Sequence, residues 1–149
     1  MAVDWILVAD RGRARVLHAI PDATVFPTLV TFVHPEADMK RSDLESDASG
    51  RTRQPGEART ALEPHTDHKH LTAERFAHEL TEHLERARQE GRFERLFVVA
   101  PPLFLGELRK SWKHPLAAMV AGEVDKDLSG LSDHELMEHL RSVVSGAGK

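Results

Sequence analysis

The sequence predicts an α/β fold with a mixed five-stranded sheet, elements in the order β-β-β-α-β-α-β-α, and helices on both faces of the sheet. Two observations favour this class. Three short apolar segments follow one another near the N-terminus, whereas the later ones alternate with helical patterns. Strands joined through helices in one sheet need crossovers that cover its faces. The 149 residues suffice for one domain, which we predict to span residues 1–149.

The first three strands are predicted before residue 34. Residues 5–9 form an apolar run between two aspartates, which indicates a buried strand. A turn signal at residues 10–12 follows, and residues 13–19 then alternate as the second strand of a hairpin. Residues 28–33 are β-branched and apolar, which predicts the third strand.

Residues 34–70 contain no periodic apolar segment, and we predict a long exposed loop there. Loops of this length are uncommon in compact domains and are usually either functional or disordered. The stretch SDASGRTRQPG, residues 46–56, has no large apolar residue. It carries Arg51, Arg53 and Gln54 on a glycine-containing segment, a composition suited to a binding loop.

A helix and a central strand are predicted after the loop. Thr72 is the expected N-cap, apolar residues then recur at helical spacing, and Gly91 closes the helix. Residues 95–100 are apolar on both faces, as a central parallel strand requires.

The C-terminal part predicts a short helix, a strand and a last helix. The short helix covers residues 103–110, and the strand is centred on residues 121–124. Ser132 and Glu135 have the spacing of a capping box, which predicts the start of the last helix.

Composition and charge exclude several classes of protein. The chain has no cysteine, which excludes disulfides, thiolate zinc sites and cysteine nucleophiles. The N-terminus does not resemble a secretory signal, and no apolar run is long enough to span a membrane, so we predict a cytoplasmic protein without a membrane partner. The net charge of -4 argues against a dedicated duplex-binding protein.

The histidine-rich motifs do not predict a metal site. HELTEHL and HELMEHL, at residues 78–84 and 134–140, place their histidines five residues apart, so each pair diverges by about 140° around a helix and cannot bind one zinc ion. His65, His68 and His70 could bind a transition metal, but such clusters are more often solvated, and we predict no metal and no cofactor.

Carboxylates near the strand ends leave an enzyme as an alternative. Asp10, Asp127 and Glu74 could hold Mg²⁺ or Mn²⁺ for phosphoryl transfer or hydrolysis if they met at the carboxyl ends of the strands. Turn and capping roles are the favoured interpretation of the aspartates. No nucleophile elbow, phosphate-binding loop or dinucleotide fingerprint occurs, so we predict no catalytic residue.

The block APPLFLGELR, residues 100–109, is the most distinctive in the chain. A buried strand runs into a double proline and an apolar helix start, and the glycine would let the helix lie close to a neighbouring backbone. The block indicates either helix packing with a surface arginine or a rigid edge that meets a phosphate, a carboxylate or a protein partner. Its notable residues are Pro101, Pro102, Leu105, Gly106 and Arg109.

Several motifs together resemble the bacterial host-attachment protein family, proteins required for attachment to host cells. They occur in one order and are WILVADRGRARVL, SDASGR, RFAHEL, APPLFLGELR and KDL. Within SDASGR the family-motif residues are Ser46, Asp47, Gly50 and Arg51. Ala48 and Ser49 stand where we expect a residue followed by proline, which leaves this loop less rigid.

That family is similar to bacterial relatives of the middle domain of archaeal and eukaryotic peptide-chain release factors. The resemblance implies three strands, a long loop and a helix that begins with Arg-Phe-Ala, here residues 75–77. In release factors the loop carries Gly-Gly-Gln and enters the ribosome. This chain has GRTRQPG instead, at residues 50–56, so the resemblance does not imply hydrolysis of peptidyl-tRNA.

The predicted function is non-catalytic recognition of the ribosome or another structured RNA through residues 46–59. We expect Arg51, Arg53 and Arg59 to contact phosphates and Gln54 to bond a base or sugar. A regulatory module with a protein partner at residues 103–109 is a further alternative, and a homodimer is left open. An adhesin would need export, so we expect any effect on attachment to be indirect.

Overall fold

The computed structural model describes residues 3–34 and 62–147. These residues form five strands and four helices: β1 Asp4–Ala9, β2 Arg13–His18, β3 Thr28–Val33, α1 Leu62–Gln89, β4 Arg95–Val99, α2 Pro102–Ser111, α3 His114–Ala117, β5 Val120–Val124 and α4 Asp133–Ala147.

The five strands form one sheet in the order β3-β2-β1-β4-β5. The hairpin β1–β2 and the pair β2–β3 are antiparallel, whereas β4 is parallel to both β1 and β5. The predicted mixed sheet is therefore confirmed, with β4 as a central parallel strand. The carboxyl ends of β1, β3, β4 and β5 all lie at the same edge of the sheet, which we call the carboxyl edge.

One face of the sheet is covered by α1, α2 and α3. Successive side chains of a strand point to opposite faces, so alternate residues of β1 and β4 enter this core. Its large members include Trp5, Leu7, Leu96 and Val98 from the strands and Phe76, Leu80, Leu84, Phe104, Leu108 and Leu116 from the helices. The ring of Trp5 also stacks on Phe93, with their centroids 4.9 Å apart.

The other face is covered by α4 and by the connection between β2 and β3. Ile6, Val8, Phe97 and Val99 pack there against Phe26 and against Leu136, Met137 and Leu140 of α4. Helices thus lie on both faces, as predicted. The capping box is also confirmed, because the amide of Glu135 donates to Ser132 Oγ and the amide of Ser132 donates to Glu135 Oε1, both over 3.3 Å.

Two helical segments differ from the prediction. The helix α1 begins at Leu62 rather than at Thr72, so residues 62–70, expected in the loop, are helical. Pro64 falls in the first turn, where its missing N–H breaks no helical hydrogen bond, and the amphipathic part that follows favours propagation of the helix. The four-residue helix α3 was also missed, because one turn has no periodicity to detect. Gly91 ends α1 with a positive φ of 70°, as expected.

Within the described ranges, no helix combines the length and the apolar character that crossing a bilayer requires.

Candidate functional site

The turn between β1 and β2 lies at the carboxyl edge and is held by Asp10. The Oδ1 atom of Asp10 accepts hydrogen bonds from the amides of Gly12, at 2.7 Å, and Arg13, at 2.9 Å. The amide of Asp10 donates to the carbonyl of Arg13 over 2.8 Å. Because these bonds fix the backbone of the turn, Arg11 and Arg13 are presented to solvent, and the side chain of Arg13 is 58% exposed.

The connection from β5 to α4 meets this turn through Ser129. The hydroxyl of Ser129 lies 2.5 Å from Asp10 Oδ2 and 2.8 Å from Asp127 Oδ1. Two of the aspartates expected near strand ends are therefore brought together. The sequence pattern did not single out Ser129, because a serine that follows an acidic residue and a leucine carries no signal for a contact 119 residues away.

Glu74, the third carboxylate of the enzyme alternative, lies elsewhere. It lines an open groove of about 470 Å³ between α1 and α2, together with Arg75, His78, Glu107 and Lys110. No three His, Cys, Asp or Glu side chains in the described part of the chain are placed to hold one metal ion. Within the described residues, Glu74 therefore does not join Asp10 and Asp127 in one metal-binding group, as the enzyme alternative would require.

His34 anchors the chain where it leaves the sheet after β3. Its amide donates to the carbonyl of Gly12 over 2.9 Å, and the residue is only 7% exposed. The imidazole stacks on the ring of Phe76, with centroids 4.9 Å apart and planes inclined by 16°. Phe76 in turn lies 5.8 Å from the ring of Phe104 at the start of α2. These rings join three elements at the carboxyl edge. From the sequence, His34 was recognised only as the first residue of the predicted loop, without this anchoring role.

The helix α1 brings the chain back to the same edge. Phe76 lies beside His34, and α1 runs from there toward the amino end of β4. The helical residues 62–75 precede Phe76 and extend about 20 Å. The side chains of His65, His68 and His70 lie outside the described part of this helix. Also outside the described residues are Ser46, Asp47, Gly50, Arg51, Arg53, Gln54 and Arg59, for which the predicted roles stay predictions.

The double proline places α2 against the core. Pro101 is the N-cap residue in an extended conformation, with φ -62° and ψ 154°, and Pro102 is the first helical residue, where its fixed φ favours helix formation. Leu105 is buried, whereas Leu103 is 90% exposed. The expected close approach at Gly106 is wrong, because a Cβ atom built there would meet no atom within 4 Å.

Arg109 is paired within the chain. Its Nε donates to Glu123 Oε1 over 3.0 Å, and Nη2 contacts the same oxygen. This hydrogen bond raises the pKa of Arg109 above its ordinary value. The ion pair joins α2 to the edge strand β5, so the carboxylate that Arg109 meets in this structure belongs to the chain itself. A contact of Arg109 with an external phosphate stays a prediction.

The comparisons with known proteins identify one family. The family model described as "Protein required for attachment to host cells" matches residues 5–140, from the first strand to within α4. No curated protein matches the chain. The matched range includes Asp10 and Asp127, the double proline at residues 101–102, and the whole segment between β3 and α1.

Proposed function

The chain belongs to the family of proteins required for attachment to host cells, and from this premise we propose that it is a non-catalytic binding protein that recognises the ribosome or another structured RNA. Residues 46–59 are the proposed contact. The proposal includes a distant relation of the fold to the middle domain of release factors, without their hydrolytic activity. An effect on attachment then follows indirectly, through translation or regulation in the cell.

One observation carries the proposal. The segment between β3 and α1 begins at the carboxyl edge, where the amide of His34 donates to the carbonyl of Gly12, and the helix that follows the segment passes this edge at Phe76, whose ring stacks on His34. In open α/β sheets ligands bind beyond the carboxyl ends of the strands, where the chain connections change direction. Here β1 connects to β2 on one side and is flanked by β4 on the other, which makes β1 such a position.

The residue types of the segment favour RNA. Arg51, Arg53 and Arg59 can each form charge-assisted hydrogen bonds with phosphate, and Gln54 can bond a base or a 2′-hydroxyl. The net charge of -4 makes long-range attraction to RNA weak, so we expect modest affinity that falls as salt increases.

A non-catalytic role is favoured over the enzyme alternative by the contacts of the acidic residues. Asp10 and Asp127 bond Ser129, and Asp10 also bonds two backbone amides, which are turn and connection roles. Glu74 lies in the groove between α1 and α2. The chain also has no Gly-Gly-Gln sequence that could act on peptidyl-tRNA.

The proposal is tested by co-sedimentation of the purified protein with ribosomes at low and at physiological salt. We expect the wild type to sediment with ribosomes and the double variant Arg51→Glu/Arg53→Glu to lose association at least about tenfold, because each change replaces a phosphate contact by repulsion. The melting temperature should stay unchanged.

The matched control is Arg86→Glu/Lys113→Glu. Both residues are exposed, and the double variant has the same change in charge. They lie at the opposite edge of the sheet, before the amino ends of β4 and β5. We expect this variant to bind as the wild type does. Undiminished sedimentation of Arg51→Glu/Arg53→Glu, or equal loss in both variants, would contradict the assignment of the contact to residues 46–59.

A protein partner at the edge formed by residues 103–109 is the second candidate, favoured by the 90% exposure of Leu103. The side chain of Leu103 stands beside a rigid proline turn, from which a protein partner could bury it. Absence of wild-type sedimentation with ribosomes at both salt concentrations would favour this candidate.

A further inference from the structure

We propose that Arg11 and Arg13, in the turn between β1 and β2, form a second phosphate-binding contact for the same RNA ligand. The inference rests on the proposed function, which it extends from residues 46–59 to a rigid part of the sheet. The ligand chemistry is the phosphate backbone of a structured RNA, which guanidinium groups bind with little dependence on sequence.

The backbone of the turn is preorganised for such a contact. Asp10 accepts bonds from two amides of the turn and contacts Ser129, which ties the turn to the β5–α4 connection. The amide of His34 donates to the carbonyl of Gly12, which adds a bond from the end of β3. The backbone of the turn therefore does not have to be ordered when Arg11 and Arg13 bind a phosphate, so little backbone conformational entropy is lost on binding.

Among the described residues, the guanidinium of Arg13 forms only a long ion pair, with Asp10, and stays largely exposed. Its Nε lies 3.7 Å from Asp10 Oδ2, and a Cβ atom on Gly130 would lie 3.1 Å from its Nη2. The head group therefore rests against the backbone of Gly130, where there is no side chain to displace it. Even so, the Arg13 side chain is 58% exposed, so its outer N–H groups face solvent.

Comparison with other arginines supports this assignment. Arg15 pairs with Asp133 at 2.9 Å, and Arg95 pairs with Asp4 at 2.6 Å, so both have a carboxylate within direct hydrogen-bond distance. Arg13 has no carboxylate as close, because Asp10 is taken up by two amides and a hydroxyl. Arg11 is exposed and forms no ion pair with any described residue.

The position of the pair fits a ligand that is also bound by the segment after β3. Val33 is paired with Arg13 across the sheet, and the next residue, His34, bonds Gly12. The two arginines therefore stand directly beside the point at which that segment begins.

The test is the salt dependence of binding, measured with two probes, purified ribosomes and a fluorescein-labelled RNA hairpin. In Arg11→Gln/Arg13→Gln we expect affinity at physiological salt to fall about tenfold. The negative slope of log affinity against log salt should become less steep by about two, one for each lost phosphate contact. Arg13→Lys keeps the charge and should keep the slope. Arg86→Gln/Lys113→Gln is the matched control at the opposite edge and should behave as the wild type.

The outcomes separate this inference from the proposed function. Wild-type slope and affinity in Arg11→Gln/Arg13→Gln, with loss in Arg51→Glu/Arg53→Glu, would overturn the inference and leave the function standing. Loss of affinity and of salt slope in Arg11→Gln/Arg13→Gln, with unchanged binding by Arg51→Glu/Arg53→Glu, would support a contact at Arg11 and Arg13 and refute residues 46–59 as the contact. No binding by the wild type to either probe would refute both. If Arg13→Gln lowers the melting temperature through Asp10, Arg11→Gln alone retains the test, with an expected slope change of about one.

Discussion

Asp10 is the residue on which the local structure of the carboxyl edge depends. One oxygen accepts two amides of the turn that follows it, and the other contacts the hydroxyl of Ser129 from the distant β5–α4 connection. A short acidic side chain at the end of a buried strand thus serves both as a turn residue and as a bridge between two connections. Its turn role follows from its place before Arg11-Gly12, whereas its bridging role follows from the order of strands in the sheet.

His83 gives the stability of the protein a dependence on pH. Burial lowers the pKa of His83 below its ordinary value of 6.5, and the nearby charges of Arg92 and Arg86 lower it further. The unfolded chain therefore binds a proton on this residue at a higher pH than the folded chain does. His83 contributes stability that is fully present above about pH 6.5 and is lost as pH falls through the folded pKa.

When the pH is lowered from about 7.5 to about 5.5, we therefore expect the free energy of unfolding to decrease less in His83→Gln than in the wild type. The substitution also removes the edge contact of the imidazole with Phe32, with ring centroids 5.1 Å apart, so it should lower stability slightly at both pH values. Urea unfolding at the two pH values measures both effects. Parallel pH dependence in the two proteins would show that His83 is not protonated differently on folding.

At the scale of elements, the last helix illustrates how a local motif fixes a boundary. Ser132 and Glu135 satisfy each other's backbone amides, and Leu131 and Leu136 pack in the same core beneath them. The whole arrangement lies within six consecutive residues, 131–136, so it is visible in the sequence. The start of α1 has no such signal, and its boundary at Leu62 was accordingly missed.

We expect Ser132→Ala to lower the free energy of unfolding by about 1 kcal/mol, the usual cost of an N-cap serine. Ser142→Ala, on the same helix, is the matched control. The hydroxyl of Ser142 donates to the carbonyl of His139 inside the helix, so its removal should be neutral or slightly stabilising. Urea unfolding with circular dichroism detection compares the two, and an equal loss in both would mean that the cap has no special role.

At the scale of the molecule, the fold was more predictable than the candidate site. The strands β1 to β4, the boundaries of α2 and the start of α4 follow from patterns a few residues long, and they lie within about one residue of the predicted positions. The site depends on contacts such as Asp10 with Ser129 and His34 with Phe76, which join residues far apart in the chain. No local pattern specifies such contacts, because they arise once the strand order has brought the connections together.

One sheet carries both hydrophobic cores, which has a consequence for unfolding. Leu80 of α1 and Leu140 of α4 are both fully buried, but they pack on opposite faces of β1 and β4. Neither face can lose its packing without exposing strands that the other face needs. We therefore expect both cores to unfold together in a single cooperative transition.

Accordingly, Leu80→Ala and Leu140→Ala should each lower the free energy of unfolding by about 2–5 kcal/mol, the cost of a buried leucine cavity, without splitting the transition. Urea unfolding followed both by circular dichroism and by tryptophan fluorescence measures this. Trp5 and Trp112 belong to the core that contains Leu80, so fluorescence reports on that face. If α4 were a separately folding layer, Leu140→Ala would shift the circular dichroism midpoint and leave the fluorescence midpoint unchanged. Coincident midpoints in both variants would establish that the sheet couples the two faces into one cooperative unit.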